Sequence, residues 1–232
     1  MQRPHILVII PAFNEADSIE KVIRDIPEDA VREVVVVNNG STDKTAEYAK
    51  IAGATVLHEP KRGYGAACLK GIEYAKTKQP DVVVFLDGDY SDFPSELTDL
   101  IEPILTQNAD LVIGSRLSGN AEKGALLPQA RFGNWLATRL IRLFWNYRFT
   151  DLGPFRAVKF EKLLSMQMQD QTFGWTVEMQ VKAAKMKMNC AEVPVSYRKR
   201  IGVSKITGTI SGTIKAGYKI LFTIFKLALT AH

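Results

Sequence analysis

Asp87 and Asp89 flank a glycine directly after the apolar run Asp81–Leu86, DVVVFL. At the end of an extended segment, residues i and i+2 point to the same side, so two carboxylates are held close together. A cation between them relieves their repulsion. Hard oxygen ligands select Mg2+ or Mn2+, and either ion bridges readily to diphosphate oxygens. An Asp/Gly turn can also be plain surface structure, and the wholly apolar strand before it favours the metal. Three further motifs follow apolar runs. Pro11-Ala12-Phe13-Asn14-Glu15 follows Ile6–Ile10 and could line a ligand cleft or form a strand-to-helix turn capped by Asn14. Asn38-Asn39-Gly40-Ser41-Thr42-Asp43 follows Glu33–Val37, with Asn38 placed to meet a base edge and the hydroxyls and Asp43 placed to cap a helix. Lys61-Arg62-Gly63-Tyr64-Gly65 combines two cations and two glycines ahead of a helix, a pattern suited to a diphosphate or its sugar. A dinucleotide fingerprint would need a third glycine where Cys68 stands, and would follow the first strand rather than the third.

The elements that position these motifs alternate. Strands are predicted at Ile6–Ile10, Glu33–Val37, Ala54–Leu57, Asp81–Leu86 and Ala109–Gly114. Helices are predicted at Glu15–Asp25, Thr42–Ala52, Gly65–Lys76 and Pro94–Leu105, with Ser41 or Thr42 capping the second and Pro94 at the first turn of the last. Continuous β-branched runs between helices imply a mostly parallel sheet covered on both faces, with ligands beyond the carboxyl ends of its strands. After Arg116 the pattern changes. A loop is expected over Leu117–Leu127, a long amphipathic helix over Pro128–Phe149, a helix over Trp175–Lys187 and a strand over Asn189–Val195.

The 232 residues suffice for one substantial core, and 46% apolar with 24% charged residues is a globular composition. Two cysteines, Cys68 and Cys190, build no disulfide framework. The net charge of +5 suits an anionic partner or plain solubility. No nucleic-acid-binding motif is present, so no nucleic-acid partner is expected. No stretch reaches the roughly 18–20 uninterrupted apolar residues of a membrane span. No secretory h-region is read at the N-terminus, and a cytoplasmic location is expected.

In order and spacing, IIPAFNE, VVVNNGSTDKT, GYGAACLKG, FLDGDYSDFP, VIGSR, DLGPFRA, FGWTVEM and RKRIGVSK resemble the family-2 glycosyltransferases of the GT-A fold, and within them the dolichyl-phosphate mannosyltransferase and polyprenyl-phosphate glycosyltransferase group. The resemblance covers roughly residues 4–205. It implies a Rossmann-like α/β fold and an inverting, metal-dependent transfer of a sugar from a nucleotide-diphospho-sugar (GDP-mannose or UDP-glucose type) to a polyprenyl phosphate. It places Pro11, Ala12, Phe13, Glu15, Asn38, Arg62, Gly63, Gly65, Asp87, Gly88 and Asp89 at the nucleotide-sugar, and Arg116, Arg131, Arg156, Arg198 and Lys205 at the diphosphate or acceptor phosphate. Asp87 and Asp89 are the metal residues. Many relatives carry Asp-Asp where Asn38-Asn39 stands, and Gln where Ser91 stands; a Ser91 hydroxyl is a shorter ligand that water would complement.

A phosphate acceptor is already an anion and needs no general base, whereas a hydroxyl acceptor needs one. Glu178 and Asp151 are the candidate bases, with Asp151 alternatively paired to Arg156 to shape the acceptor side. Two readings stay beside the lipid-phosphate one: transfer to a saccharide or protein hydroxyl, and a non-catalytic nucleotide-binding or membrane-recruiting subunit. The tail 206–232 carries Lys215, Lys219 and Lys226 among apolar residues at helical spacing (Ile210, Ile214, Gly217, Leu221, Ile224 and Leu227/Ala228). It reads as an amphipathic helix beyond a catalytic domain of residues 1–205. Its expected partner is a membrane surface, which would make the protein peripheral on the cytoplasmic membrane face, or its own domain, or a second subunit in an oligomer.

Overall fold

The computed structural model describes residues 3–202 and 210–230. Seven strands, β1 (Ile6–Ala12), β2 (Glu33–Asn38), β3 (Thr55–His58), β4 (Val82–Phe85), β5 (Leu111–Ser115), β6 (Arg156–Lys159) and β7 (Cys190–Pro194), form one sheet in the order β3-β2-β1-β4-β6-β5-β7. Neighbours pair in parallel except at β6, which runs antiparallel to both β4 and β5. The helices are α1 (Ile19–Arg24), α2 (Thr45–Ile51), α3 (Tyr64–Lys78), α4 (Leu97–Thr106), α5 (Pro128–Trp145), α6 (Phe160–Met166), α7 (Trp175–Lys185) and α8 (Ile210–Leu229).

The apolar strand runs divide by parity between two cores, as a sheet covered on both faces requires. Leu7, Ile9, Val35, Val37, Val83 and Phe85 pack with α3, α5, α6 and α7. Ile6, Val8, Ile10, Val36, Val82 and Val84 pack with α1 and α4. The expected mostly parallel α/β architecture is therefore present, with one strand more than the sequence pattern suggested. β6 reads RAVK, too short and too polar at its ends to register as an apolar run, yet it joins β4 to β5 and places Arg156 inside the molecule.

Helix starts differ where side chains take over backbone bonding. α1 begins at Ile19 rather than Glu15. Asn14 adopts φ +53°, and Glu15–Ser18 form a turn in which the Ser18 and Ile19 amides donate to the Glu15 carbonyl. α2 begins at Thr45 because the Asp43 carboxylate, rather than Ser41 or Thr42, accepts the Thr45 amide at 3.0 Å. α5 stops at Trp145, four residues before the expected end, with Asn146 left-handed at φ +53°.

α8 packs on α5 and α7. Ala216, Thr223 and Ile224 face inward, Lys219 pairs with Asp170 at 2.8 Å, and Lys185 caps the helix end through the Leu227 carbonyl at 3.0 Å. Of the apolar residues expected along one stripe, Ile224 is buried and Ile214 exposed. The helix thus shows two faces, and its outer one carries Ile214, Tyr218, Phe222, Phe225 and Leu229. Among the described residues, no helix is long and apolar enough to cross a membrane.

Candidate active site

The carboxyl ends of β1, β2 and β4 lie on one edge of the sheet, with Ala12 in register with Asn38 and Ile9 with Phe85. The loops beyond them are knitted together. Asn14 donates its amide to Ser41 Oγ at 3.0 Å and accepts the Thr42 amide at 2.9 Å. The Glu15 amide donates to Thr45 Oγ1, and Ser18 Oγ donates to the Gly88 carbonyl at 2.8 Å. Asn39 Oδ1 accepts the Gly63 amide at 2.8 Å, which ties the fourth motif to the second. Arg62 lies over the Phe13 ring, 3.9 Å from its centre. All four motifs are thereby assembled at one edge, where an open α/β sheet binds its ligand.

Three aspartates sit at the centre. Tyr64 donates its hydroxyl to Asp87 Oδ1 at 3.0 Å. Ser91 donates both its amide (2.9 Å) and its hydroxyl (2.5 Å) to Asp89 Oδ1. Asp92 is 1% exposed, and neither of its carboxylate oxygens has a hydrogen-bond partner among the described residues. Burial, followed by the charge of Asp89, pushes Asp87 up to about 7. Burial, followed by the charges of Asp87 and Asp89, pushes Asp92 well above the carboxylate range.

A strap from Tyr197 to Ile201 runs along this loop. Tyr197 pairs antiparallel with Asp92, the Arg198 amide donates to the Ser91 carbonyl at 2.9 Å, and the Ile201 amide donates to the Asp89 carbonyl at 3.0 Å. Arg200 reaches from the strap to Asp89 Oδ2 at 3.1 Å and to Glu15 Oε1 at 3.2 Å. An acidic cluster at strand ends, with apolar walls and its own cation, is suited to holding a polyanion together with a metal.

The family glycosyl transferase family 2 matches residues 7–165. The chain belongs to this family. It is 30% identical over 220 residues to an undecaprenyl-phosphate mannosyltransferase of Micrococcus luteus, with 89% of each chain covered. It is 32% identical over 203 residues to a dolichyl-phosphate hexose transferase of Haloferax volcanii, covering 86% of this chain and 85% of that one. Among solved structures, a glucosyl-3-phosphoglycerate synthase from Mycobacterium tuberculosis, in complex with Mn2+, UDP and phosphoglyceric acid, superposes with a TM-score of 0.79 at 21% identity, over 99% of this chain and 80% of that one. The fold is GT-A, and the protein is a glycosyltransferase.

In this glycosyltransferase, several residues read from sequence as ligand contacts are spent on the protein itself. The amides of Gly65 and Ala66 donate to the carbonyls of Thr172 (3.3 Å) and Gln171 (2.9 Å). A Cβ on Gly65 would lie 2.8 Å from the carbonyl carbons of Asp170 and Gln171. Gly63, at φ +146°, gives its amide to Asn39. The two glycines admit a neighbouring segment of the chain. Asn38 sits at the expected strand end, but its Oδ1 accepts the Ser41 amide at 2.9 Å and its Nδ2 lies 3.3 Å from His58 Nδ1.

Asp151 pairs with Arg116 rather than Arg156. Arg116 Nε and Nη2 reach its two oxygens at 2.8 Å each, and the Arg116 amide adds a third bond at 2.9 Å. Burial raises the Asp151 carboxyl, but the Arg116 charge and hydrogen bonds outweigh it, so the group is held below the ordinary range and is a poor base. Arg156 is fully buried and donates to the carbonyls of Leu152, Gly153 and Thr176, so it ties loops together. Burial lowers it to about 10, which still leaves it charged at neutral pH.

Glu178 is likewise bonded within the protein. Its carboxylate accepts the amides of Gln169 (3.0 Å) and Asp170 (2.7 Å) and pairs with Lys182 at 2.7 Å. Arg198 is sandwiched between the Tyr90 and Phe93 rings and donates to the Tyr90 and Asp92 carbonyls, bracing the acidic loop. Ser91 likewise supports Asp89. Arg131 lies exposed near the start of α5, and Lys205 falls outside the described residues. Tyr64, Asp92 and Arg200 were not singled out, although all three stand inside the motifs GYGAACLKG, FLDGDYSDFP and RKRIGVSK.

Proposed function

We propose that this glycosyltransferase moves a sugar, with inversion, from a nucleotide-diphospho-sugar to a polyprenyl phosphate at a membrane surface. The observation that carries the acceptor class is the state of the two carboxylates that the sequence offers as candidate bases. Asp151 is locked in a bidentate pair with Arg116, and Glu178 is spent on two amides and Lys182. A hydroxyl acceptor would need such a base; a phosphate, already ionised, attacks without one. The names of the polyprenyl-phosphate relatives support the same reading.

The acidic cluster fits a divalent cation. It offers hard oxygen donors, a buried carboxylate at Asp92 without a hydrogen-bond partner among the described residues, and an Asp87 raised by burial and then by the charge of Asp89, a crowding of carboxylates that a cation relieves. No three His, Cys, Asp or Glu side chains converge as a metal group among the described residues. Mg2+ and Mn2+ are commonly held by one or two carboxylates, with substrate phosphates completing the shell. Asp89 and Asp87 would be those carboxylates, and the bound ion would neutralise charge on the departing nucleoside diphosphate. Ser91 and Tyr64 orient the two aspartates, and Arg198 and Tyr197 hold the loop in place. Phe13 and Arg62, stacked on one another, and Asn38 would line the nucleotide.

The lipid reading is also supported by charge. No Asp or Glu occurs between Glu122 and Asp151 or after Glu192, stretches that include α5 and α8. Phe132, Trp135, Leu143 and Phe144 are exposed on α5 beside Arg131, Arg139 and Arg142, and the outer face of α8 continues this surface through the Phe144–Phe225 ring contact. Aromatic and apolar side chains among cations with no acids suit the headgroup layer of an anionic membrane, so we assign a peripheral place on the cytoplasmic face. Purified protein with GDP-mannose or UDP-glucose, Mn2+ and a polyprenyl phosphate in vesicles is expected to form the lipid-linked sugar, and Asp89→Ala to abolish it. Transfer to hydroxyl compounds with none to lipid phosphate would overturn the acceptor, and full turnover by Asp89→Ala would overturn the metal assignment.

A further inference from the structure

Among the described residues, the cation paired with Asp89 is the chain's own Arg200. Its two terminal nitrogens bridge carboxylates from different motifs, Asp89 in the β4 loop and Glu15 in the β1 loop. With Ser91 on Oδ1 and Arg200 on Oδ2, both oxygens of Asp89 are engaged. The Arg200 Nε is buried with no hydrogen-bond partner among the described residues, so this pose leaves at least that guanidinium donor unused. The backbone that carries it is fixed by the bonds of Arg198 and Ile201 to the Asp89–Asp92 loop, while the side chain itself remains 27% exposed. The backbone bonds of the strap do not depend on the guanidinium contacts.

We propose that Arg200 is a resident counter-ion, which a divalent cation must displace from Asp89 and which then pairs with the diphosphate of the nucleotide. Two cations cannot share Asp89 Oδ2 without repulsion, so metal alone must break the Arg200 bridge and leave the guanidinium without a carboxylate. A diphosphate offers that guanidinium the bidentate anionic partner it loses, and a bridging metal gains ligands from the same group. Metal and nucleoside diphosphate therefore each bind poorly alone and tighten one another, and the coupling is reciprocal. The site stays closed to free cations until a nucleotide arrives. The nucleotide half of this inference rests on the proposed function; the competition between Arg200 and metal does not.

The test is Mn2+ titration of the full chain, followed by the paramagnetic resonance of free aqueous Mn2+, with no nucleotide, with UDP and with GDP. Wild type is expected to bind Mn2+ weakly alone and more tightly with one nucleotide, by a factor within the roughly 5–150-fold span of such couplings. Arg200→Gln is expected to bind Mn2+ alone about tenfold more tightly, taking a mid-range coupling, and to lose most of the nucleotide effect. Arg200→Lys, which keeps the charge, should stay near wild type. Circular dichroism checks the fold, and Arg200→Met serves the same test should the glutamine variant not fold. Unchanged Mn2+ affinity in Arg200→Gln overturns the resident counter-ion. If no nucleotide tightens Mn2+ in wild type while Arg200→Gln still binds it more tightly, the counter-ion stands and the nucleotide reading falls.

Discussion

Replacing Asp151 with asparagine separates a structural carboxylate from a catalytic one. The Asp151 side chain is 1% exposed and that of Arg116 is 15% exposed, and three hydrogen bonds run between the two residues. Removing the charge leaves a buried guanidinium without its counter-ion, a change that costs about 3–5 kcal/mol in comparable buried pairs. Asparagine keeps the shape and one acceptor, so about 3 kcal/mol is expected. With a urea m-value of about 3 kcal/mol/M for a chain of this size, the unfolding midpoint should fall by about 1 M at pH 7.

The pH dependence has a definite sign. The folded Asp151 carboxyl lies below its unfolded value of about 3.9, so its contribution is full above that pH and is lost as pH falls through the lower folded value. The gap between wild type and Asp151→Asn should hold steady from pH 7 to 5 and narrow below about 4, where even the unfolded chain begins to bind the proton. Activity per folded molecule should stay within about threefold of wild type, whereas loss of a general base costs about 10²–10⁴-fold. A variant with an unshifted midpoint and a turnover loss of that size would refute the reasoning and restore Asp151 as a base.

The close approach of α3 to residues 170–172 makes two glycine substitutions diverge. Gly65→Ala should destabilise by about 2 kcal/mol through overpacking against the Asp170 and Gln171 carbonyls. Gly133→Ala, in the middle of α5 with nothing within 4 Å of the added carbon, should stabilise by about 0.4–1 kcal/mol; equal effects in thermal unfolding would contradict the packing described. On the outer face of α8, the double variant Tyr218→Glu/Phe222→Glu should lower co-sedimentation with anionic vesicles at least tenfold, since each ring carries about 1.5–3 kcal/mol of transferable apolar surface. Its circular dichroism should be unchanged, and undiminished vesicle binding would move the membrane contact elsewhere.

What could be read in the sequence is what local chemistry determines. The apolar runs of β1, β2 and β4 announce a sheet buried on both faces, and the motifs after them collect at its carboxyl edge because parallel strands end on the same side. The place of Asp87 and Asp89 just beyond a strand end was legible because the apolar run of β4 leads straight into the DGD turn. β6 was not, since Arg156 and Lys159 bracket only two apolar residues and its place depends on a gap between β4 and β5 that no local pattern reveals. The charged residues are harder to read for a related reason. A lone Asp, Glu or Arg in a family-like motif reads as a ligand contact, and only the fold shows which charges already hold a partner: Asp151 on Arg116, Glu178 on two amides, Arg156 on three carbonyls.

That distinction bears directly on the chemistry. A site that spends its candidate bases on structure and keeps an arginine on its acidic loop is arranged around the leaving group rather than around activation of the nucleophile. An acceptor that arrives already ionised makes such an arrangement sufficient, because the barrier then lies mainly in stabilising the charge of the departing diphosphate. In the proposed reaction Arg200 and the Asp87/Asp89 pair would address that charge together, and the acid-free α5 and α8 would face the anionic lipid that carries the acceptor. Were the acceptor a neutral hydroxyl, both the locked Asp151 and the clamped Glu178 would be unexplained losses to catalysis.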